Sequence, residues 1–135
     1  MTDKLYDAGM EVRRKVLGNA HVDRALANTK AYNKDFQDFI TRFGWGEIWT
    51  RPHFDHRMRR ILVIGTMMSL GRWEEFRMHL RAALADGFSM QDVTELFLQQ
   101  SIYCGFPVTN TAYHHLADII AELKGQGVTI NGLEE

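Results

Sequence analysis

The sequence is poor in cysteine and proline, and both shortages narrow the classes of protein it can belong to. One of its 135 residues is cysteine, Cys104. A single cysteine excludes an intramolecular disulfide framework, a CxxC redox pair and a cysteine-based zinc knuckle. The two prolines, Pro52 and Pro107, lie outside the segments that have helical spacing.

Long apolar runs and a strong charge bias are missing as well. The longest apolar run, residues 61–68, is interrupted by glycine and threonine and is too short to span a bilayer. The net charge of −1 argues against nucleic-acid binding that depends on phosphate neutralisation. Residues 1–16 lack the apolar core of a signal peptide. We therefore expect a cytoplasmic protein that binds neither nucleic acid nor membrane.

Segments with helical periodicity, separated by glycines, fill most of the sequence. The apolar fraction of 45% and the charged fraction of 24% are ordinary for a globular protein. Asp55 is placed to cap a helix that begins at His56, and Ser89 and Asp92 form a capping pair for another helix. We predict one all-α domain over residues 1–135, a bundle of about six helices. The short polar tail GVTINGLEE, residues 127–135, is expected to be loose.

Three polar residues lie along one edge of the helix predicted after Gly71. Arg72, Glu75 and His79 are spaced i, i+3, i+7, about a quarter turn from the centre of the apolar face. Glu75 and His79 are four apart and can touch. Spacing alone favours a salt bridge at the border of the core, and the alternative is a pocket wall. The pair supplies only two ligands, so we predict no metal site here.

The segment GWGEIWTRPHFD, residues 44–55, combines two tryptophans, two glycines and Arg51. We interpret it as a rigid aromatic turn that either plugs the edge of the core or forms an apolar wall. In the second case Arg51 offers a bidentate fork to a substrate carboxylate. The cationic run RMRR, residues 57–60, follows at a helix start, where it either receives anions or faces solvent.

Four segments together resemble the carboxymuconolactone decarboxylase family: RRKVLGNAHVDRA, FQDFITRFGWGEIWTRP, LGRWEEFRMHLRAALADG and IYCGFPVTN. The resemblance implies an all-α fold of the alkylhydroperoxidase-D-like type. It also implies a homo-oligomer, commonly trimer-based and often a hexamer. The implied activity is cofactor-free decarboxylation of gamma-carboxymuconolactone to 3-oxoadipate enol-lactone in protocatechuate catabolism.

The resemblance also implies roles for individual residues. Related thiol peroxidases carry a CxxC pair and a histidine where this sequence has Arg72, Glu75 and His79, so peroxidase chemistry is not expected. We expect His79 to act as acid or oxyanion donor, oriented by Glu75. The remaining expected site residues are His21 as a second acid, Arg51 and Arg72 as carboxylate ligands, and Trp45, Trp49 and Tyr103 as walls.

Several positions depart from the family pattern and keep other functions open. The run RMRR replaces Arg-Thr-Arg-Ser, Val108-Thr109-Asn110 replaces Ala-Ala-Asn, and TAYHHL at 111–116 is bulkier than the pattern. These changes could reshape the pocket. The alternatives are a related decarboxylase, an isomerase or dehydratase that handles an enolate of another lactone or keto acid, and a non-catalytic relative.

Overall fold

Helices account for the regular structure of this protein. The computed structural model describes residues 3–134, and it contains seven α-helices, one π-helix and, within those residues, no β-strand. This confirms the all-α prediction, with more helices than the six expected. The α-helices are α1 (Lys4–Leu17), α2 (Asn19–Ala27), α3 (Lys34–Phe39), α4 (His56–Ser69), α5 (Trp73–Ala85), α6 (Met90–Cys104) and α7 (Phe106–Gly125), and the π-helix is Ile40–Ile48.

The chain divides into two compact units, Met1–Arg59 and Arg60–Glu135. Helix α4 begins in the first unit and continues into the second. The single domain expected over residues 1–135 stays a prediction.

In the first unit, α1 and the π-helix pack backbone against backbone. A Cβ atom added to Gly9 would lie 1.9 Å from the carbonyl oxygen of Thr41, and one added to Gly46 would lie 2.4 Å from that of Leu5. Glycine at both positions removes the side chains that would hold the helices apart. The π-helix is therefore seated directly on α1.

A buried arginine joins the same two helices. Arg13, on α1, is 4% exposed. Its guanidinium donates to Oγ1 of Thr41 at 3.3 Å and to Oε1 of Gln37 at 3.2 Å. Burial lowers the pKa of Arg13, because desolvation disfavours its charged form. The arginine thus fixes α3 and the π-helix to α1 through neutral partners.

The aromatic turn predicted over residues 44–55 is shorter than expected. Gly44–Ile48 belongs to the π-helix, with the amide of Trp49 donating to the carbonyl of Gly44 at 3.0 Å. Irregular backbone is confined to residues 49–55. Glycine is unfavourable in a helix interior, so Gly44 and Gly46 suggested a turn. Gly46 instead serves the close approach to α1.

The second unit buries its apolar residues among α4, α5, α6 and α7. Gln100 of α6 donates to the carbonyl of Gly65 at 3.2 Å and to the hydroxyl of Ser69 at 3.0 Å, so α6 contacts α4 at these two small residues. Arg60 is buried and paired with Asp86 at 3.0 Å rather than facing solvent.

Capping in the second unit follows the sequence, but the tail does not. Ser89 and Asp92 form a capping box at the start of α6, as predicted. The prediction of a loose tail was wrong for residues 128–133. Ile130 is buried in the core, and the carbonyl of Asn131 accepts a hydrogen bond from the amide of Met90 at 2.9 Å.

Candidate active site

A cleft of about 710 Å³ lies in the first unit between α1 and the segment that follows the π-helix. Trp49 and Arg51, both predicted to contact substrate, line one wall. The full lining is Ala8, Glu11, Val12, Lys15, Trp49, Thr50, Arg51, Pro52, Phe54, Asp55, His56 and Arg57. Its volume falls within the range of small-molecule sites.

Trp45 supports the cleft from behind. It is 8% exposed, and its ring lies 4.8 Å from that of Trp49, centroid to centroid. The ring of Trp49 also lies near the imidazole of His56, with 6.0 Å between the ring centroids. The wall predicted from both tryptophans is thus formed by Trp49, while Trp45 lies in the interior.

The loop that carries Arg51 is braced from the start of α4. The guanidinium of Arg59 donates to the carbonyl oxygen of Arg51 at 3.2 Å, and its carbon lies 5.8 Å from the ring centroid of Phe54, within cation–π range. The carboxylate of Asp55 accepts the amide of Met58 at 2.8 Å, which is the predicted N-cap. The backbone carbonyl of Arg51 is therefore held by Arg59 at the edge of the cleft that Arg51 lines.

Cations outnumber available carboxylates in the cleft. Asp55 is engaged as the helix cap, which leaves Glu11 as the other acidic lining residue. Lys15 and Arg51 line the cleft from its two sides, and within residues 3–59 neither has a carboxylate within ion-pair distance. The charge distribution favours an anionic ligand.

In the second unit, the three predicted residues Arg72, Glu75 and His79 differ in how far they are exposed to solvent. Arg72 is the N-cap residue of α5 and is exposed, as is Glu75. His79 is 7% exposed and lies among Phe76, Leu80 and other buried residues of α5. The predicted border of the core therefore runs between Glu75 and His79.

His115 belongs to a cluster between α5 and α7 that was not predicted from the sequence. His115 of α7 stacks on Trp73 at 4.8 Å and accepts a 2.6 Å hydrogen bond at Nδ1 from Nε of Arg77. Arg77 also pairs with Asp118. Burial lowers the pKa of His115, and the charge of Arg77 lowers it further. The spacings 73/77 and 115/118 place each pair on one helix face, but no sequence signal joins the two helices.

The remaining predicted residues lie elsewhere. His21 is half-buried on α2, outside the lining of the cleft, and Tyr103 is 77% exposed near the end of α6. Cys104 is half-buried against the core, in keeping with a small apolar role.

Over residues 3–134, no group of three or more His, Cys, Asp or Glu side chains is placed to hold a metal ion. In that same stretch no helix has the length and apolarity needed to cross a membrane.

Comparison with known proteins gives consistent matches. Residues 34–118 match the model of the carboxymuconolactone decarboxylase family. A 4-carboxymuconolactone decarboxylase of Acinetobacter baylyi is 42% identical over 121 residues, 90% of each chain. A nitrosuccinic acid decarboxylase of Metarhizium robertsii is 35% identical over 104 residues, 77% of this chain and 73% of the fungal one. The chain therefore belongs to the carboxymuconolactone decarboxylase family.

Proposed function

We propose that this protein is a carbon–carbon lyase that converts 4-carboxymuconolactone to 3-oxoadipate enol-lactone in protocatechuate catabolism. The observation that carries the proposal is the 42% identity to the Acinetobacter decarboxylase over nine-tenths of both chains. The cleft with Arg51 and Trp49 supports it, because a cationic fork beside an apolar ring suits a carboxylated ring compound. We propose that this activity takes place in the cytoplasm.

The substrates named for the two relatives share their reactive chemistry. 4-Carboxymuconolactone and nitrosuccinic acid are both dicarboxylic acids. In the lactone, the carboxylate to be lost is on a saturated carbon next to an alkene that is conjugated with the lactone carbonyl. In nitrosuccinate, it is on the carbon that bears the nitro group, and in both compounds the other carboxylate is retained. Nitrosuccinate is therefore the second substrate that we propose for this site.

The decarboxylation needs no electron from outside the substrate. The bond between the ring carbon and the carboxylate breaks and releases carbon dioxide. Its electron pair moves through the ring alkene to the lactone carbonyl, which forms a dienolate. A proton then adds to the carbon next to the carbonyl. The enzyme must hold the retained carboxylate, stabilise the developing oxyanion and deliver the proton.

Arg51 is proposed to hold the retained carboxylate. Arg51 lines the cleft and Arg59 holds its backbone carbonyl, so the guanidinium is carried on a fixed loop. Trp49 and Phe54 provide apolar surface in the same cleft. A departing carboxylate placed against such a surface loses its charge as the bond breaks, so the poor solvation favours the reaction.

His79 is proposed to deliver the proton or to donate to the oxyanion, with Glu75 orienting its ring. This assignment rests on the family resemblance and on the burial of the imidazole in α5, which limits its exchange with water. His21 is proposed as a second acid, Arg72 as a second carboxylate ligand, and Trp49 and Tyr103 as walls, with Trp45 packed against Trp49.

The test is release of carbon dioxide from a panel of acids by the purified protein. The panel contains 4-carboxymuconolactone, nitrosuccinate and simple beta-keto acids, each assayed with and without a chelator. We expect turnover of the first or second compound above the spontaneous rate. Turnover of beta-keto acids alone would support the different-substrate alternative, and no turnover of any compound would refute the decarboxylase.

The protein is also proposed to assemble as a homo-oligomer, trimer-based or hexameric. Large apolar side chains are exposed where α6 meets α7, with Ile102 at 75% and Phe106 at 78%. They border an apolar groove of about 760 Å³. A surface of this kind is typical of a protein–protein interface.

A further inference from the structure

One face of α1 forms the wall of the cleft that lies opposite the Arg51 loop. The lining residues of α1 are Ala8, Glu11, Val12 and Lys15. Their spacing i, i+3, i+4, i+7 places all four on one helix face. Lys15 is the cation of this wall, and it faces the same space as Trp49 and Arg51.

The proposed reaction requires the site to stabilise negative charge at two positions of the substrate. The present inference rests on that proposed function. The retained carboxylate is negative throughout. The second negative charge starts on the departing carboxylate and ends on the lactone oxygen, or on the nitro group when nitrosuccinate reacts. A cation beside the oxygen on which this charge ends stabilises the transition state more than the substrate. Such a cation therefore accelerates the chemical step.

The two cations of the cleft suit different anions. The guanidinium of Arg51 is a planar fork that matches a carboxylate, whereas an ammonium is a compact charge that can approach a single oxygen. We propose that Lys15 is a catalytic residue that stabilises the developing enolate or nitronate oxyanion, while Arg51 binds the retained carboxylate. Lys15 lies in the segment RRKVLGNAHVDRA, but the family resemblance implied no role for it.

The neighbouring groups favour Lys15 for this task. Glu11 lies one turn before Lys15, yet within residues 3–59 no carboxylate is within 4.0 Å of the lysine nitrogen. His56 packs its ring against Trp49, and Arg57 has an interaction of its own. Lys15 is exposed, so its ammonium is free to turn toward a bound ligand.

The kinetic test compares Lys15→Met with the wild type on the panel compound that is turned over. We expect kcat to fall about 100-fold with KM changed less than about threefold, as for the loss of one oxyanion donor. Lys15→Arg should recover part of kcat, and added ethylammonium should partly rescue Lys15→Met. Lys4→Met is the matched control, since Lys4 lies at the start of the same helix and outside the cleft lining.

A binding test works without turnover. The ligands are 3-nitropropionate and its freshly prepared nitronate, which differ by one proton and carry one and two negative charges. Binding is followed by quenching of tryptophan fluorescence. We expect the wild type to bind the nitronate at least tenfold more tightly, Lys15→Met to lose that preference, and Arg51→Met to bind both ligands more weakly.

The two tests separate this inference from the proposed function. If the wild type decarboxylates nothing but shows the nitronate preference and loses it in Lys15→Met, the oxyanion site stands and the decarboxylase does not. If the wild type is active and Lys15→Met raises KM alone, keeps wild-type kcat, or retains the nitronate preference, the role of Lys15 is overturned. Circular dichroism and thermal melting establish that each variant is folded.

Discussion

Gly9 and Gly46 meet backbone to backbone where α1 crosses the π-helix. A Cβ atom on Gly9 would lie 2.9 Å from the amide nitrogen of Gly46 and 1.9 Å from the carbonyl oxygen of Thr41. Both obstacles are main-chain atoms, which cannot rotate away as a side chain can. We predict that Gly9→Ala lowers the free energy of unfolding by about 3 kcal/mol, at the upper end for overpacking. Urea denaturation measures the change.

Gly44 provides the control for this prediction, because it lies on the same π-helix but has nothing within 4 Å of an added Cβ. Gly44→Ala should leave stability within about 1 kcal/mol of the wild type or raise it. Equal destabilisation by the two variants would show that alanine in the π-helix, and not the helix crossing, sets the cost.

Much of the fold was predictable from local chemistry. Asp55 and the Ser89–Asp92 pair cap the helices that they were expected to cap, since these interactions span three residues. The π-helix was not predictable, because it depends on the fit of Gly46 against α1 and on the hydroxyl of Thr41 meeting Arg13. Those contacts join residues far apart in sequence.

The candidate site, too, was only partly predictable from the sequence. Arg51 and Trp49 were predicted from composition and family resemblance, and both line the cleft. Lys15 was not, since a lysine on an amphipathic helix is ordinarily a solvated residue. The Glu75–His79 spacing located the edge of the core, but spacing cannot tell which of the two is buried.

Arg59 should act on the cleft by positioning Arg51. Arg59→Met removes the hydrogen bond to the Arg51 carbonyl and the stacking on Phe54, so the fork is no longer held. We predict a rise in KM of about tenfold, or ~1.4 kcal/mol, with a smaller change in kcat. Arg42→Met, which removes only a surface ion pair with Asp3, should leave KM unchanged. An unchanged KM in Arg59→Met would refute the role.

The apolar surface at α6 and α7 predicts the effect of a charge placed there. Phe106→Arg should disrupt self-association, because a desolvated guanidinium without a partner is costly in an interface. Light scattering should give a multiple of the 15.6 kDa chain for the wild type and a smaller mass for the variant. Tyr32→Arg, at an aromatic residue of the first unit that is also largely exposed, should keep the wild-type mass. A wild-type monomer would contradict the prediction.

The proton-transfer assignment on α5 predicts losses in turnover. His79→Gln should lower kcat by about 100-fold or more, the usual contribution of a general acid. Glu75→Gln should also lower kcat, because it removes the group proposed to orient the ring. Glu74→Gln is the control, since Glu74 is exposed next to Glu75. Wild-type rates in folded His79→Gln and Glu75→Gln would remove both residues from the mechanism.

His115 predicts how stability depends on pH. Its Nδ1 accepts a hydrogen bond from Arg77, and a protonated ring has no lone pair there to accept it. Burial, Arg77 and His114 lower the pKa of His115, while Asp118 opposes the shift. Because the folded-state pKa lies below the unfolded value of about 6.5, protons bind preferentially to the unfolded chain. The stabilisation is complete above that value and is lost as the pH falls through the folded-state pKa.

The measurement is the melting temperature of the wild type and His115→Gln between pH 8 and about pH 5, the interval around the usual histidine pKa. The wild type should lose more stability than His115→Gln over this interval, since only the wild type must protonate the ring that accepts from Arg77. His53→Gln, at an exposed histidine of the first unit that has no part in the His115 shift, should keep the wild-type dependence. Parallel curves for the wild type and His115→Gln would show that other groups govern the acid transition.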